Sequence, residues 1–255
     1  MTGSAHVVEY DLLVYRHSWR GSMLVSFISP VLFLAAMGVG LGSLVKSGVG
    51  TVDGVSYLNF LAPGLMAATA MQTASVETTF PIMAKVFWMR TYEAMLATPL
   101  TVRDLLVGDV AWLLMRLVMV AAVYFVVMLL FGVVTAPGAL LAIPAAVLTG
   151  LAFGAPILAY SATQKNTVGF AAIERFIILP LFMLSGTFFP IDQLPRVLQG
   201  VAWLAPLANG VALTRGAVLG TLSSEATAAH VAVLTVYAIA GIVAARVTLR
   251  RRLVT

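Results

Sequence analysis

Residues 117–164 read LVMVAAVYFVVMLLFGVVTAPGALLAIPAAVLTGLAFGAPILAYSATQ and contain no Asp, Glu, Lys or Arg over 48 positions. One helix needs about 20 apolar residues to cross a bilayer, so this run is long enough for two. The segment Thr135-Ala136-Pro137-Gly138 interrupts it with residues that favour a turn. The stretch therefore predicts two membrane-spanning helices joined by a short turn.

The composition extends this prediction to the whole chain. Of its 255 residues, 61% are hydrophobic and only 10% are charged, whereas an ordinary soluble domain has about 25% charged residues. So few charges cannot cover the surface of a water-soluble protein, which excludes a soluble enzyme, a nucleic-acid-binding domain and a disordered protein. We predict an all-α integral membrane protein, whose net charge of +5 reflects basic residues at the membrane rim.

The chain shows no residues for catalysis or cofactor binding. It has no cysteine, and its three histidines lack the spacing of a metal-binding helix. Neither GxxxxGK[ST] nor GxGxxG is present, so ATP and dinucleotides are not bound by those motifs. We expect no metal and no cofactor in this chain.

Six spans follow from the charge-free runs. We place them near 24–45, 58–79, 109–133, 139–162, 168–187 and 229–247. With both termini in the cytoplasm, the inner segments hold twelve of the fifteen basic residues, which is the bias expected of cytoplasmic loops. Gly38 with Gly42, and Gly150 with Gly154, have the GxxxG spacing of closely packed helices.

Two further segments are neither spans nor short loops. Residues 6–20 carry apolar side chains on one helical stripe and charged ones off it, which predicts an amphipathic helix lying in the inner interface. Residues 188–222 show helical periodicity interrupted by prolines. We expect short helices there, which dip into the outer leaflet or cap a cavity.

The cytoplasmic segment 80–108 is helix-prone from Lys85 to Ala97 and ends before Pro99. It combines aromatic and aliphatic side chains with charged ones on the water side. Taken alone, this pattern fits a docking surface for another protein and a helix lying flat on lipid equally well.

Charged residues at membrane depth are candidates for function. Asp109, Arg116, Glu174 and Arg175 lie within reach of the inner leaflet. A pairing of Arg116 with Glu174 would neutralise both ions. The pattern fits an internal salt bridge or snorkelling arginines, and alternatively a gate or a proton-coupled step.

Three local stretches resemble a known family, the type-2 (exporter) permeases of ABC transporters. They are 60–65 (FLAPGL), 92–108 (YEAMLATPLTVRDLLVG) and 184–195 (LSGTFFPIDQLP). The likeness extends over essentially the whole chain and is closest to the branch with nodulation-factor exporters and daunorubicin-type drug-resistance exporters.

The resemblance implies a single permease domain over residues 1–255 in a bacterial plasma (inner) membrane. Its parts would be an interfacial helix within 1–22, a coupling segment at 80–104 and outer re-entrant helices at 188–222. Two ATPase subunits, holding ATP and Mg²⁺, and a second permease, either a copy or a paralogue, would complete the complex. The resemblance places the ATPase contact at Phe87, Arg90, Glu93, Leu96, Thr98 and Pro99, and the outer gate at Phe188, Phe189 and Pro190.

The first and fifth spans would border the substrate route. The candidates on them are Phe27, Phe33, Met37, Phe176, Phe182 and Met183, which suit a hydrophobic or amphipathic substrate but equally fit side chains that face lipid. Two other functions stay open: a secondary carrier driven by an ion gradient, and a non-transporting membrane anchor of an ATPase.

Overall fold

The computed structural model of the chain describes residues 3–36, 52 and 54–254, and no β-strand occurs among them beyond an isolated bridge between Val52 and Val55. The helices, in chain order, are α1 (Gly3–Leu34), α2 (Tyr57–Thr78), α3 (Phe80–Met83), α4 (Thr91–Leu96), α5 (Val102–Leu130), α6 (Ala142–Ser161), α7 (Val168–Ile173), α8 (Leu179–Leu184), α9 (Arg196–Leu204), α10 (Pro206–Leu219) and α11 (Ser224–Leu253). Wider π-helical turns occupy Ala84–Trp88 and Glu174–Ile178, and tighter 3-10 turns occupy Pro137–Leu141 and Ile191–Gln193. The expected all-α architecture is confirmed.

The helix starts follow from the local sequence. Thr101 begins α5 with a reciprocal capping box: its hydroxyl accepts from the Asp104 amide at 3.3 Å, and the Asp104 carboxylate accepts from the Thr101 amide at 3.0 Å. Ser223 caps α11 in the simpler way, its hydroxyl accepting from the Ala226 amide. These caps satisfy amide groups that the first helical turn leaves without partners.

Several helical stretches match the predicted spans. By length and composition, three of the described stretches could cross a membrane, namely Val102–Leu130, Pro137–Ser161 and Ser224–Leu253. Helices α9 and α10 would make a fourth if they are counted as one span bent by 81°. The predicted second span coincides with α2, and the predicted fifth span is helical from Val168 to Leu184, divided by a π-helical turn.

The N-terminal segment corrects one expectation. We expected an interfacial helix over 6–20 and a separate span over 24–45, but α1 runs without a break from Gly3 to Leu34. Gly21, near the expected boundary, lowers helix stability by only about 1 kcal/mol, so it does not end a helix that its neighbours propagate.

Helix α6 is central in the packing. It forms its most extensive contact with α11 and also packs on α2, α5 and α10. A Cβ atom added to Gly150 would lie 2.5 Å from the Leu117 side chain, and one added to Gly154 would lie 2.6 Å from the Leu113 side chain. The packing role of this glycine pair is confirmed, whereas Gly38 and Gly42 lie outside the described residues.

The closest approach between α6 and α11 provides a test. A Cβ atom added to Gly241 would lie 2.5 Å from the backbone nitrogen of Pro156, so Gly241→Ala must push the two helices apart. We expect it to destabilise the fold by about 1–3 kcal/mol, as overpacking does, measured by reversible unfolding in detergent. The matched change is Gly200→Ala in α9, where nothing lies within 4 Å of the added atom. If both variants are equally stable, the tight α6–α11 contact is refuted.

Candidate functional site: helix α4 and the buried charges behind it

The segment between α3 and α5 forms a corner with a short helix on its far side. Instead of one helix from Lys85 to Ala97, as predicted, the chain makes the π-helical turn and then breaks at Arg90. The φ angle of Arg90 is 50°, in the left-handed region that side chains rarely adopt. This conformation ends the helical hydrogen-bond ladder and starts α4 in a new direction.

The residues predicted to contact an ATPase lie on the exposed side of this corner. Phe87, Arg90, Glu93, Thr98 and Pro99 are exposed and Leu96 is half-buried. Arg90 and Glu93 approach to 3.8 Å across the first turn of α4. A groove of about 770 Å³ runs beside α4. Its lining comes from the start of α1 and from the segment after Arg90, namely Gly3, His6, Tyr10, Thr91, Ala94, Met95, Thr98, Pro99 and Leu100.

The opposite side of the corner is anchored by buried charges. The Lys85 Nζ atom donates to Asp11 of α1 at 2.7 Å and to Asp109 of α5 at 2.9 Å. These side chains expose only 11%, 8% and 2% of their surface, respectively. Burial acts to lower the pKa of Lys85, but the carboxylates of Asp109 and Asp11 outweigh it and the net shift is upward. Lys85 is therefore a buried cation held between two helices.

Tyr92 links α4 to the same cluster. Its side chain is fully buried, and its hydroxyl donates a short hydrogen bond to the second carboxylate oxygen of Asp109. Burial raises the pKa of Tyr92 well above its ordinary value and Asp109 raises it further. The phenol therefore stays protonated and remains a donor. We call Asp11, Lys85, Tyr92 and Asp109 the first layer.

A second layer lies further along α5 and corrects the predicted ion pair. Arg116 Nε donates to Glu77 of α2 at 2.8 Å, and Arg116 Nη1 donates to the hydroxyl of Tyr15 at 2.9 Å. Trp112 Nε1 donates to the other Glu77 oxygen at 3.2 Å. Glu174, the predicted partner of Arg116, is exposed. The pairing differs because α2 packs on α5 and brings Glu77 to it. We call Tyr15, Glu77, Trp112 and Arg116 the second layer.

The residues predicted to form the outer gate lie beside the half-buried side chain of Arg215. Phe188 and Phe189 are half-buried and Pro190 is buried. Preceding them, the carbonyl of Gly186 accepts from Arg215 Nη2 of α10 at 2.8 Å. Arg215 Nε donates to the carbonyl of Phe60 at 3.0 Å. Arg215 thus ties the turn after α8 to the start of α2.

The predicted route residues fall into different environments. Phe182 packs edge-to-face on Phe188 with ring centroids 5.0 Å apart, which joins a route residue to a gate residue. Phe33 packs against the core, whereas Phe176 and Met183 are exposed. The side chain of Phe27 and all of Met37 lie outside the described residues.

A cavity of about 660 Å³ opens beside Phe176. Its walls come from α6, from 168–184, from the bend between α9 and α10, and from α11. Most of the lining is apolar, with Phe153, Ile157, Ile173, Phe176, Leu181 and Leu204 among its residues.

Sequence reasoning missed most of the two layers, because it treated Lys85 only as a basic residue for orientation. A usable signal was present. Asp109 lies in an apolar helix and needs a cation, and Lys85 is the nearest lysine in the segment that precedes α5. The pairing with Asp11 and Tyr92 depends on which helices are neighbours, and hydropathy does not report that.

Comparison with known proteins assigns the chain to a family. A family model described as ABC-2 type transporter matches residues 6–219. The chain is 34% identical to nodulation protein J of Rhizobium leguminosarum bv. viciae, over 95% of this chain and 92% of that protein. It is 33% identical to nodulation protein J of Rhizobium meliloti, over 95% and 91% of the two chains. Similarity also extends to the inner membrane transport permease YadH of Escherichia coli, at 23% identity over 80% and 79% of the two chains.

The first layer makes a specific prediction for Lys85→Met. Removing the cation leaves two buried carboxylates unpaired, so we expect the fold to lose about 3–5 kcal/mol, measured by unfolding in detergent. The matched control is Lys165→Met at an exposed position, where a change within about 0.5 kcal/mol is expected. Adding Asp11→Asn and Asp109→Asn to Lys85→Met should recover most of the loss. If this triple variant is as unstable as Lys85→Met, unpaired charge is not the cause.

Proposed function

The chain belongs to the ABC-2 type transporter family, and from this premise we propose that it is the membrane-spanning subunit of an ATP-driven exporter. It would move a hydrophobic or amphipathic substrate, such as a drug, a lipid or a lipid-linked glycan, out of the cytoplasm or the inner leaflet. The chain itself performs no catalysis. Two separate ATPase subunits would bind ATP and Mg²⁺ and provide the energy.

The observation that carries the proposal is that the corner around α4 has one exposed side and one side anchored to the rest of the protein. One side presents exposed Glu93 and Thr98 beside the groove shared with α1. The other side is fixed by buried Tyr92 and Lys85. A docking element that is to pass on motion needs both an accessible face for the partner and a firm attachment to its own protein. The groove also explains how one ATPase would touch α1 and α4 together.

The proposed complex contains two permeases, this chain with a second copy or a paralogue, in a bacterial inner membrane. Each would have six spans and both termini in the cytoplasm, where Arg250, Arg251 and Arg252 end α11 in accord with the positive-inside bias. ATP binding would draw the ATPases together and displace α4. The spans would then change from one packing arrangement to another. This change requires that ATP binds the two conformational states with different affinity.

The apolar cavity beside Phe176 supports a hydrophobic substrate. Its volume of about 660 Å³ lies within the range of about 300–1,000 Å³ typical of small-molecule sites. The lining residues Phe153, Phe176 and Leu181 suit hydrocarbon better than ions. Among the candidate route residues, Phe176 is the one that we place at this cavity.

The paired acids favour an ATP-driven exporter over an ion-driven carrier. Asp11, Asp109 and Glu77 each contact a basic side chain in the two layers. A carrier driven by protons needs a carboxylate that can exchange its proton during transport, and a carboxylate held by a buried cation is poorly suited to that. A non-transporting anchor is distinguished by experiment, since only a permease makes ATP hydrolysis respond to substrate.

ATPase docking is tested by reversing one charge on α4. Glu93→Lys changes the exposed face and leaves Tyr92 and Lys85 in place, so we expect correct folding but at least about tenfold weaker ATPase binding, the loss typical of a contact at the centre of an interface. Binding is measured on purified permease in nanodiscs with the ATPase that co-purifies with the tagged wild-type chain. Glu225→Lys at the start of α11 is the control, because it makes the same charge change at another exposed site. Equal ATPase binding by both variants would count against the proposal.

The orientation is tested with single cysteines, which is direct because the chain has none. Ala97→Cys follows α4 and Thr221→Cys precedes α11, and both positions are exposed. A membrane-impermeant maleimide added to intact spheroplasts should label Thr221→Cys only. In inside-out vesicles it should label Ala97→Cys only. The reverse pattern would contradict a cytoplasmic α4.

A further inference from the structure

Helix α4 cannot hold its own position. It has six residues, Thr91–Leu96, whereas an isolated helix shorter than about 12 residues is marginal in water. It follows the left-handed residue Arg90 and is separated from α5 by the stretch 97–101. The position of α4 is therefore set by side-chain contacts. The main ones are made by Tyr92, which bonds to Asp109, and by Lys85 in the preceding π-helical turn.

The two layers connect α4 to α1, α5 and α2. Asp109 and Arg116 are seven residues apart on α5, so they lie on nearly the same face, about 10 Å apart along the axis. Asp11 and Tyr15 are one turn apart on α1. Thus α1 and α5 contribute to both layers, whereas α4 contributes to the first layer only and α2 contributes to the second only.

Charge and burial make this connection stiff. Lys85 has a carboxylate on each of two helices, and separating it from either one leaves a buried charge unpaired. Arg116, whose side chain is 8% exposed, forms an ion pair with Glu77 at 2.8 Å, and its guanidinium also lies 4.6 Å from the ring centroid of Tyr15. A displacement of α4 therefore costs less if α1 and α5 move with it than if the ion pairs open.

We infer that the two layers are the joint through which a displacement of α4 reaches α2 and α5, with Lys85, Tyr92 and Arg116 as its positioning residues. The inference deepens the proposed function and rests on it. It assigns the buried charges to transmission of motion rather than to proton transfer or to a static brace. A static brace would hold α4 in place equally well, but its loss would leave the response of the spans to ATP unchanged.

The first experiment uses the permease alone and asks whether the layers act as one unit. Tyr92→Phe removes a hydroxyl from Asp109, and Tyr15→Phe removes one from Arg116. We expect the effects of the two changes on the unfolding equilibrium constant to be non-additive by about threefold or more, as in a shared network. Tyr92→Phe combined with Tyr57→Phe is the control and should be additive. Tyr57 lies at the start of α2, about 30 Å along the helix from Glu77, and belongs to neither layer. Additivity in both cycles would overturn the inference.

The second experiment uses the full complex in nanodiscs. Spin labels on Leu130→Cys and Ser224→Cys, at exposed ends of α5 and α11, report the packing of the spans without ATP and with ATP and vanadate. ATP and vanadate should change the distance between the two labels in the parent. With Tyr92→Phe we expect the ratio of molecules with the changed distance to those with the original distance to fall by about tenfold, the effect of one lost hydrogen bond to a charged group. Tyr57→Phe should behave like the parent. The triple variant Asp11→Asn, Lys85→Met, Asp109→Asn should still bind the ATPase subunits but should show no change in label distance with ATP and vanadate.

Each outcome bears on a different claim. A parent-like shift in Tyr92→Phe and in the triple variant, with the ATPase bound, would overturn the joint. The absence of a shift in the parent with bound ATPase would also overturn it, because the spans would then have no displacement to receive. Failure of the wild-type chain to bind any ATPase would instead refute the proposed function, and the double-mutant cycles would still decide whether the two layers act together.

Discussion

A buried ammonium group needs carboxylates close by, and this chain supplies them to Lys85 from two different helices. Asp11 comes from α1 and Asp109 from α5, so the cation cannot be satisfied unless the corner after α3 lies between these helices. Tyr92 then adds the hydrogen bond that fixes α4. Helix α4 is short, and its position is still well determined because a misplaced corner would leave charges unpaired in a buried environment.

Hydropathy predicted the long helices well and their ends less well. The charge-free run 117–164 became the end of α5, the turn at Pro137–Leu141 and α6, because a long uncharged segment in lipid is most stable when it forms helices that satisfy their own backbone. The boundary expected near residue 22 is absent, since no proline or charge cluster forces a helix to stop there. The corner at Arg90 was equally hidden, because a left-handed arginine has no signature in periodicity.

Sequence reasoning predicted only the exposed residues of the candidate site. Glu93, Thr98 and Pro99 were identified through a family resemblance and lie on the exposed side of the corner, as a docking surface requires. The ion pair between Arg116 and Glu174 was wrong, because sequence order does not state which helices are neighbours. A lone arginine in an apolar helix predicts that an acid lies nearby, and Glu77 was available on α2, but only tertiary packing selects it over Glu174.

The bend between α9 and α10 satisfies its polar groups by different means. Where α9 meets α10, the bend frees the carbonyls of Trp203 and Ala205, and both accept from the amide of Asn209 at 2.9 Å and 3.0 Å. Helix α11 also holds this bend, because the Tyr237 hydroxyl donates to the carbonyl of Leu204 at 3.2 Å and His230 Nδ1 lies 2.7 Å from Asn209 Oδ1. These are hydrogen bonds to neutral groups, whereas the corner at Arg90 is held by ion pairs with little exposure, and opening such a pair leaves a buried charge without its partner. The corner is therefore the more firmly held of the two, as the proposed transmission of motion requires.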